Sequence, residues 1–254
     1  MRTIAVTSGK GGVGKTSLTT SIGCALSKLG KRVVLFDADL QLANLDIALG
    51  VECQFNLQHV VAGEKTLSEI LVAGPMGVRV VTGGSAVTTL MNAGPKRLAT
   101  FMSQIDDLAS STDFLLFDTA AGLDNRVFAF LKRADEVLVI VTPEPTSVTD
   151  AYATIKVLQR RKPDAIVRVL VNRAPSIQVA TATYRALSNT VQNFLNIDLL
   201  SAGYVLRDEA FERATLIRRT AYTENLGSQL AASLETIAAE LAIEARPIVL
   251  YESA

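Results

Sequence analysis

Eight residues, Gly9-Lys-Gly-Gly-Val-Gly-Lys-Thr16, hold two lysines and four glycines between an apolar run, Ile4 to Val6, and a segment of helical pattern. Glycines at these spacings let successive backbone N–H groups close around phosphate oxygens. Lys15 is placed to reach β and γ phosphates, and the Thr16 hydroxyl to ligate Mg²⁺. The candidate nucleotide-binding set is therefore Gly11, Gly12, Val13, Gly14, Lys15, Thr16 and Ser17. The strand before and helix after are the context this chemistry needs.

Other residues with chemistry close apolar runs. Asp37 and Asp39 follow the run Arg32 to Phe36, where an acid can polarise an attacking water. Asp118 ends Phe114 to Phe117, the form of a carboxylate that holds Mg²⁺ directly or through water. Thr16, Asp37 and Asp118 are the candidate metal ligands. Asp118-Thr-Ala-Ala-Gly122 then gives a small loop able to respond to a γ-phosphate. Asn172 ends Ile166 to Val171, and its amide offers one donor and one acceptor to an adenine edge. A strand-terminal Asp or Asn also serves as a turn former or helix cap, so each gains weight only from lying beside the phosphate loop.

The elements that must position these groups alternate. Apolar positions Leu18, Ile22, Ala25, Leu26 and Leu29 make a helical face ending at Gly30, and the next apolar run follows at once. Short apolar runs recur at Val78 to Val81, Val137 to Val141 and Ala202 to Leu206, between helical segments such as Pro95 to Ala109 and Thr146 to Arg161. Such alternation predicts an α/β fold, a doubly wound and mostly parallel sheet flanked by helices in three layers, with ligands at the carboxyl ends of the strands. With 254 residues, 49% hydrophobic, and no linker-like composition shift, residues 1–254 read as a single domain. Formal net charge is zero, which excludes a global field for nucleic acid or anionic membrane. Cys24 and Cys53 lack metal or disulfide spacing and suit a reducing cytosol. Without an apolar leader or a run of membrane-spanning length, the expected location is cytoplasmic. His59, the only histidine, lacks any triad pattern and reads as structural.

Lys10-Gly-Gly-Val-Gly-Lys-Thr16 resembles the deviant Walker A motif of the MinD/ParA ATPases. Phe36-Asp-Ala-Asp-Leu-Gln-Leu-Ala-Asn-Leu-Asp46 is similar to that family's switch I, Asp118 to Gly122 to its switch II, and Asn172 to its adenine-binding asparagine. The resemblance implies a P-loop ATPase using ATP, ADP and Mg²⁺. Lys10 would reach a partner's nucleotide across an ATP-dependent homodimer, Lys15 would serve its own phosphates, and Asp39 would activate water. Asp118-Thr-Ala-Ala-Gly122 and Thr142-Pro-Glu-Pro-Thr-Ser-Val-Thr-Asp-Ala-Tyr152 look like the flagellar-number regulators of the FlhG (FleN, YlxH) branch more than like cell-division MinD. That branch commonly carries an N-terminal extension acting on a GTPase, whereas this sequence starts at the first strand, so such activation is not expected.

The resemblance also implies a protein regulator or cargo, and two surfaces to weigh, a peripheral membrane contact and nonspecific DNA, the latter less favoured. The stripe Leu226, Leu230, Leu234, Ile237 and Leu241 carries Gln229, Ser233, Glu235 and Glu240 on its polar face, which suits core packing better than anionic lipid. The apolar tail Pro247 to Tyr251 is unassigned. Arg160-Arg-Lys162 and the group Arg207, Arg213, Arg218 and Arg219 are the candidate basic patches, with a solvated helix face as the alternative. The rival functions are a partitioning ATPase of ParA type on DNA and a small-molecule enzyme using the same loop.

Overall fold

The computed structural model describes residues 1–39, 44–83, 94–122 and 124–243. Eight strands form one sheet: β1 (Arg2–Thr7), β2 (Val33–Ala38), β3 (Val72–Ala73), β4 (Arg79–Val81), β5 (Phe114–Thr119), β6 (Glu136–Val141), β7 (Ile166–Ala174) and β8 (Leu200–Leu206), in the order β3-β4-β2-β5-β1-β6-β7-β8. All neighbours are parallel except the β3–β4 edge pair. β2, β5 and β6 are buried along their whole length, which is why they read as unbroken apolar runs.

Helices cover both faces. On one lie α1 (Lys15–Lys28), α2 (Leu45–Leu49), α8 (Glu209–Leu216), α9 (Ala221–Glu224) and α10 (Gln229–Ala242). On the other lie α3 (Leu57–Ala62), α4 (Pro95–Ser110), α5 (Asn125–Arg133), α6 (Pro145–Arg161) and α7 (Ile177–Leu195). The period of two along each strand divides the core accordingly. Leu138, Ile140 and Leu170 face α1, and Val137, Val139 and Val169 face the opposite layer. A cluster of Phe36, Phe101, Phe117 and Phe130 fills the second core, with ring centroids 5.4 to 6.3 Å apart.

The expected strands and the three-layer fold are present, with ends shifted by a few residues: β2 starts at Val33, β7 runs on to Ala174, and β8 begins at Leu200. The C-terminal stripe packs on the core as expected at Leu230, Leu234, Ile237 and Leu241. Leu226 departs from it. Gly227, at φ +81, turns the chain before the helix starts, and Leu226 stays 52% exposed. Residues 247–251 lie outside the described residues. His59 sits at the third position of α3, where its ring accepts from the Asn56 N–H in a capping box.

At the amino ends of the strands, Glu136 is buried between Arg168, at 2.6 Å, and Arg2. Arg2 also donates to the Leu241 and Ile243 carbonyls, so it caps the end of α10 and fixes that helix to the sheet base. This leaves the opposite edge, where the loops after β1, β2, β5, β6 and β7 converge, for the site. The chain leaves β1 toward β2 on one side and meets β6 on the other, the strand-order reversal at which open α/β sheets bind ligands.

Candidate functional site

The phosphate loop joins β1 to α1. Gly14, at φ +92, precedes the helix in a conformation that a side chain resists, and no side chain caps the helix N-terminus. The first-turn N–H groups are thus left for an anion. Gly9 is glycine for a different reason. A Cβ there would lie 2.3 Å from the Asp150 carbonyl oxygen, so the loop and α6 can touch only without one.

Lys15 donates to the Ser8 hydroxyl at 3.0 Å, and Ser8 donates to the Lys10 carbonyl at 2.7 Å. Burial lowers the Lys15 pKa, opposed by the charges of Asp118 and Asp39. A polyphosphate would supply the negative charge that this half-buried ammonium lacks. The Thr16 hydroxyl donates to Asp118 at 2.6 Å, and Thr19 donates to its other oxygen at 3.3 Å. Burial raises Asp118 to about 6, against the Thr16 bond and the Lys15 charge. A hydroxyl and a carboxylate in contact beside an open helix N-terminus suit Mg²⁺, whose other positions would go to phosphate oxygens and water. Such an ion needs no cluster of three acidic, histidine or cysteine side chains, and none occurs among the described residues.

Asp37 takes a different place from Thr16 and Asp118. It lies beside Asp118 in strand register, but its oxygens accept the backbone N–H groups of Asp39 at 3.1 Å, Asn44 at 3.0 Å and Leu45 at 3.2 Å. Burial and then Asp118 push it up to about 8, while the three N–H groups oppose the rise. It holds both ends of the loop after β2, and thereby sets where Asp39 emerges. Asp39 is close enough for its charge to act on both Lys15 and Asp118. The loop after β5 is tied to the same region, since Gly122 N–H donates to the Ser8 carbonyl at 2.9 Å and Thr119 to that of Val6.

Beside the loop opens a cavity of about 650 Å³ lined by Gly14, Ser17, Asn172, Leu206, Asp208 and Phe211. Asn172 Nδ2 donates to the Val13 carbonyl at 2.8 Å, while its buried Oδ1 has no partner. An orphaned acceptor on the wall of a cavity fits a base bearing an exocyclic amine. Lys10 stands apart from its own loop's interior. Its ammonium pairs with Glu144 at 2.5 Å and donates to Thr146 at 3.1 Å. That pairing holds the Glu144 carboxyl below its ordinary range.

The structure thus gathers Gly11 to Ser17, Asp39, Asp118 and Asn172 around one crevice, and keeps Lys10 at its rim. Ser8, Glu144 and Arg173 were not singled out by sequence reasoning. Glu144 lies in the Thr142 to Tyr152 segment noted above for its likeness to the FlhG branch, a likeness that did not mark it as the partner of Lys10.

The family described as "AAA domain" matches residues 1–167. The antiactivator FleN of Pseudomonas aeruginosa is 40% identical over 87% of this chain and 79% of its own length. The flagellum site-determining protein YlxH of Helicobacter pylori is 36% identical over 85% and 71%. Among solved structures, the septum site-determining protein MinD of Pyrococcus horikoshii, complexed with Mg-ADP, superposes with a TM-score of 0.78 at 26% identity, covering 94% of this chain and 95% of that one. With a glycine-rich loop between β1 and α1, the Thr16–Asp118 contact and the adjoining cavity in this arrangement, the chain belongs to the MinD/ParA family of P-loop ATPases, alongside FleN and YlxH.

Proposed function

We propose that this ATPase, a spatial regulator of the FlhG and MinD type, uses Mg²⁺ and cycles between a monomer and an ATP-sandwiched dimer that sets the number or placement of a cellular structure. Flagella are the favoured process, because the flagellum site-determining protein YlxH is among the relatives and the two sequence segments noted above point to the same branch. The observation that carries the reading is the separation of the two loop lysines. Lys15 is half-buried against Ser8 inside the loop, and Lys10 is turned outward onto Glu144. A lysine at the rim is placed to serve a second molecule's phosphates, and dimerisation then requires it to leave Glu144.

In the proposed reaction, water attacks the γ-phosphate in line. Asp39 orients and deprotonates it, while Lys15, the partner's Lys10 role and the loop N–H groups stabilise the charge that develops. Mg²⁺ held by Thr16 and Asp118 would neutralise charge on the phosphate oxygens. A protein regulator or cargo would read the dimer.

The basic clusters give little support to a DNA-bound version. Arg161 stacks 4.9 Å from the Phe128 ring centroid and bonds Asn125, and Lys162 caps α5 through the Ala134 carbonyl. Arg213 and Arg219 pair with Glu209 and Glu224. A cytoplasmic location follows from this reading. No described helix is long and apolar enough to cross a membrane, and the α10 polar face carries no cation to hold an anionic bilayer.

Lys10→Ala tests the division of labour. The specific ATPase rate of the parent should rise with protein concentration, because the dimer is the active form. The variant should still bind ATP with an affinity within about threefold of the parent, yet hydrolyse it at a low rate that does not depend on concentration. A variant whose rate rises with concentration as the parent's does would return Lys10 to an ordinary solvated loop residue.

A further inference from the structure

β7 ends in a break of the strand's alternation. Leu170 faces α1 and Val171 faces the opposite layer, so Asn172 should return to the α1 side and Arg173 should point away from it. Arg173 does not. Its φ is +56°, a left-handed conformation disfavoured for any residue with a Cβ, and the β7–β8 register shifts between Val171 and Ala174. As a result Val171 and Ala174 both face the second core, and the two side chains between them reach the same loop. Asn172 Nδ2 donates to the Val13 carbonyl at 2.8 Å, and Arg173 Nη1 donates to the Gly12 carbonyl at 2.9 Å.

The consequence follows from the planarity of the peptide bond. In a trans peptide the C=O and the next N–H point in opposite directions, so fixing one fixes the other. Holding the Gly12 carbonyl outward therefore aims the Val13 N–H inward, and holding the Val13 carbonyl aims the Gly14 N–H inward. The Gly12 peptide needs such a hold. Gly12 and Gly14 adopt φ of +77° and +92°; a Cβ at Gly12 would meet nothing within 4 Å, so packing around Gly12 does not stop its carbonyl from turning, whereas Val13 is buried in the core and Gly14 lies against Asn172.

We propose that Arg173 is a positioning residue of the phosphate loop, which by bonding the Gly12 carbonyl keeps the loop's N–H groups turned toward phosphate and couples the loop to the base end of the cavity. Arg173 itself lines that cavity beside Asn172, and its charge acts on Glu144, the partner of Lys10. Base recognition, phosphate-loop geometry and the parking place of Lys10 are thereby joined at one strained turn.

Arg173→Gly separates this role from stability, because glycine removes the guanidinium and the backbone strain together. The melting temperature of the nucleotide-free variant should equal or exceed that of the parent. Calorimetric titration should show ADP binding weakened about tenfold and adenosine binding changed by less than about twofold, since only the phosphate end has lost its charge-assisted hold. Amide hydrogen exchange across residues 10–15 of the nucleotide-free protein should quicken. Arg173→Lys, which keeps a cationic donor, should recover most of the ADP affinity. Parental ADP affinity in Arg173→Gly, an equal loss for ADP and adenosine, or unchanged loop exchange would each overturn the proposal, the last by making Arg173 a direct ligand contact instead of a strut.

Discussion

Lys15→Ala should lower ATP turnover by at least about two to three orders of magnitude and weaken ADP binding in parallel. The side chain sits in a loop whose other contributions to phosphate are neutral N–H dipoles, so it is the one full positive charge fixed inside the loop by a defined contact, that to Ser8. Its neighbours make the loss larger. Asp118 and Asp39 both act on this ammonium, and without it their negative charge faces the incoming phosphates with less to offset it. Fluorescent-nucleotide titration and phosphate-release kinetics measure the two effects separately. Near-parental values for both would remove the phosphate-loop assignment. The protein should nevertheless stay folded, because the apolar side chains that build the two cores are untouched by the substitution.

Asp39→Ala should show the opposite combination, with ATP bound and hydrolysis lost. The residue emerges from the loop pinned by Asp37, within electrostatic reach of Lys15 and Asp118 but outside the phosphate loop itself. Removing a water-orienting base commonly costs about 10² to 10⁴ in rate while leaving ground-state binding in place. With ATP and Mg²⁺ the variant should therefore accumulate in whatever assembled form precedes hydrolysis. Stopped-flow phosphate release reads the rate, and nucleotide retention on a desalting column reads the trapped complex. Parental turnover would show that another group orients the water.

Much of this site was legible in the sequence because its chemistry is local. The phosphate loop lies within eight residues, and Asp39, Asp118 and Asn172 each close an apolar run that could be placed on a strand end without knowing its neighbours. What stayed hidden is long-range or disguised. The Lys10–Glu144 pair joins residues 134 apart, and Arg2 with Glu136 likewise. Arg173 reads as one more basic residue until its left-handed φ turns it back on the loop. α7 buries Ala180, Thr183, Leu187 and Val191, a correct helical spacing in which two of the four side chains are small or polar, so its apolar stripe is faint. β3 is two residues long and pairs antiparallel at the sheet edge, too short to show a period. The candidate metal role of Asp37 rested on its position at a strand end, and the three N–H groups it accepts give that position another purpose.

The most direct measurement is the mass of the unaltered chain in solution, by multi-angle light scattering, without nucleotide, with ADP and Mg²⁺, and with ATP and Mg²⁺. Lys10 rests on its own chain's Glu144 in the structure, so the nucleotide-free and ADP samples should both give the 27.1 kDa monomer. Only the sample with ATP and Mg²⁺ should show double that mass, and the doubled species should decay as the nucleotide is hydrolysed. A mass that stays at the monomer value with ATP, or one already doubled without it, would contradict the nucleotide-driven cycle.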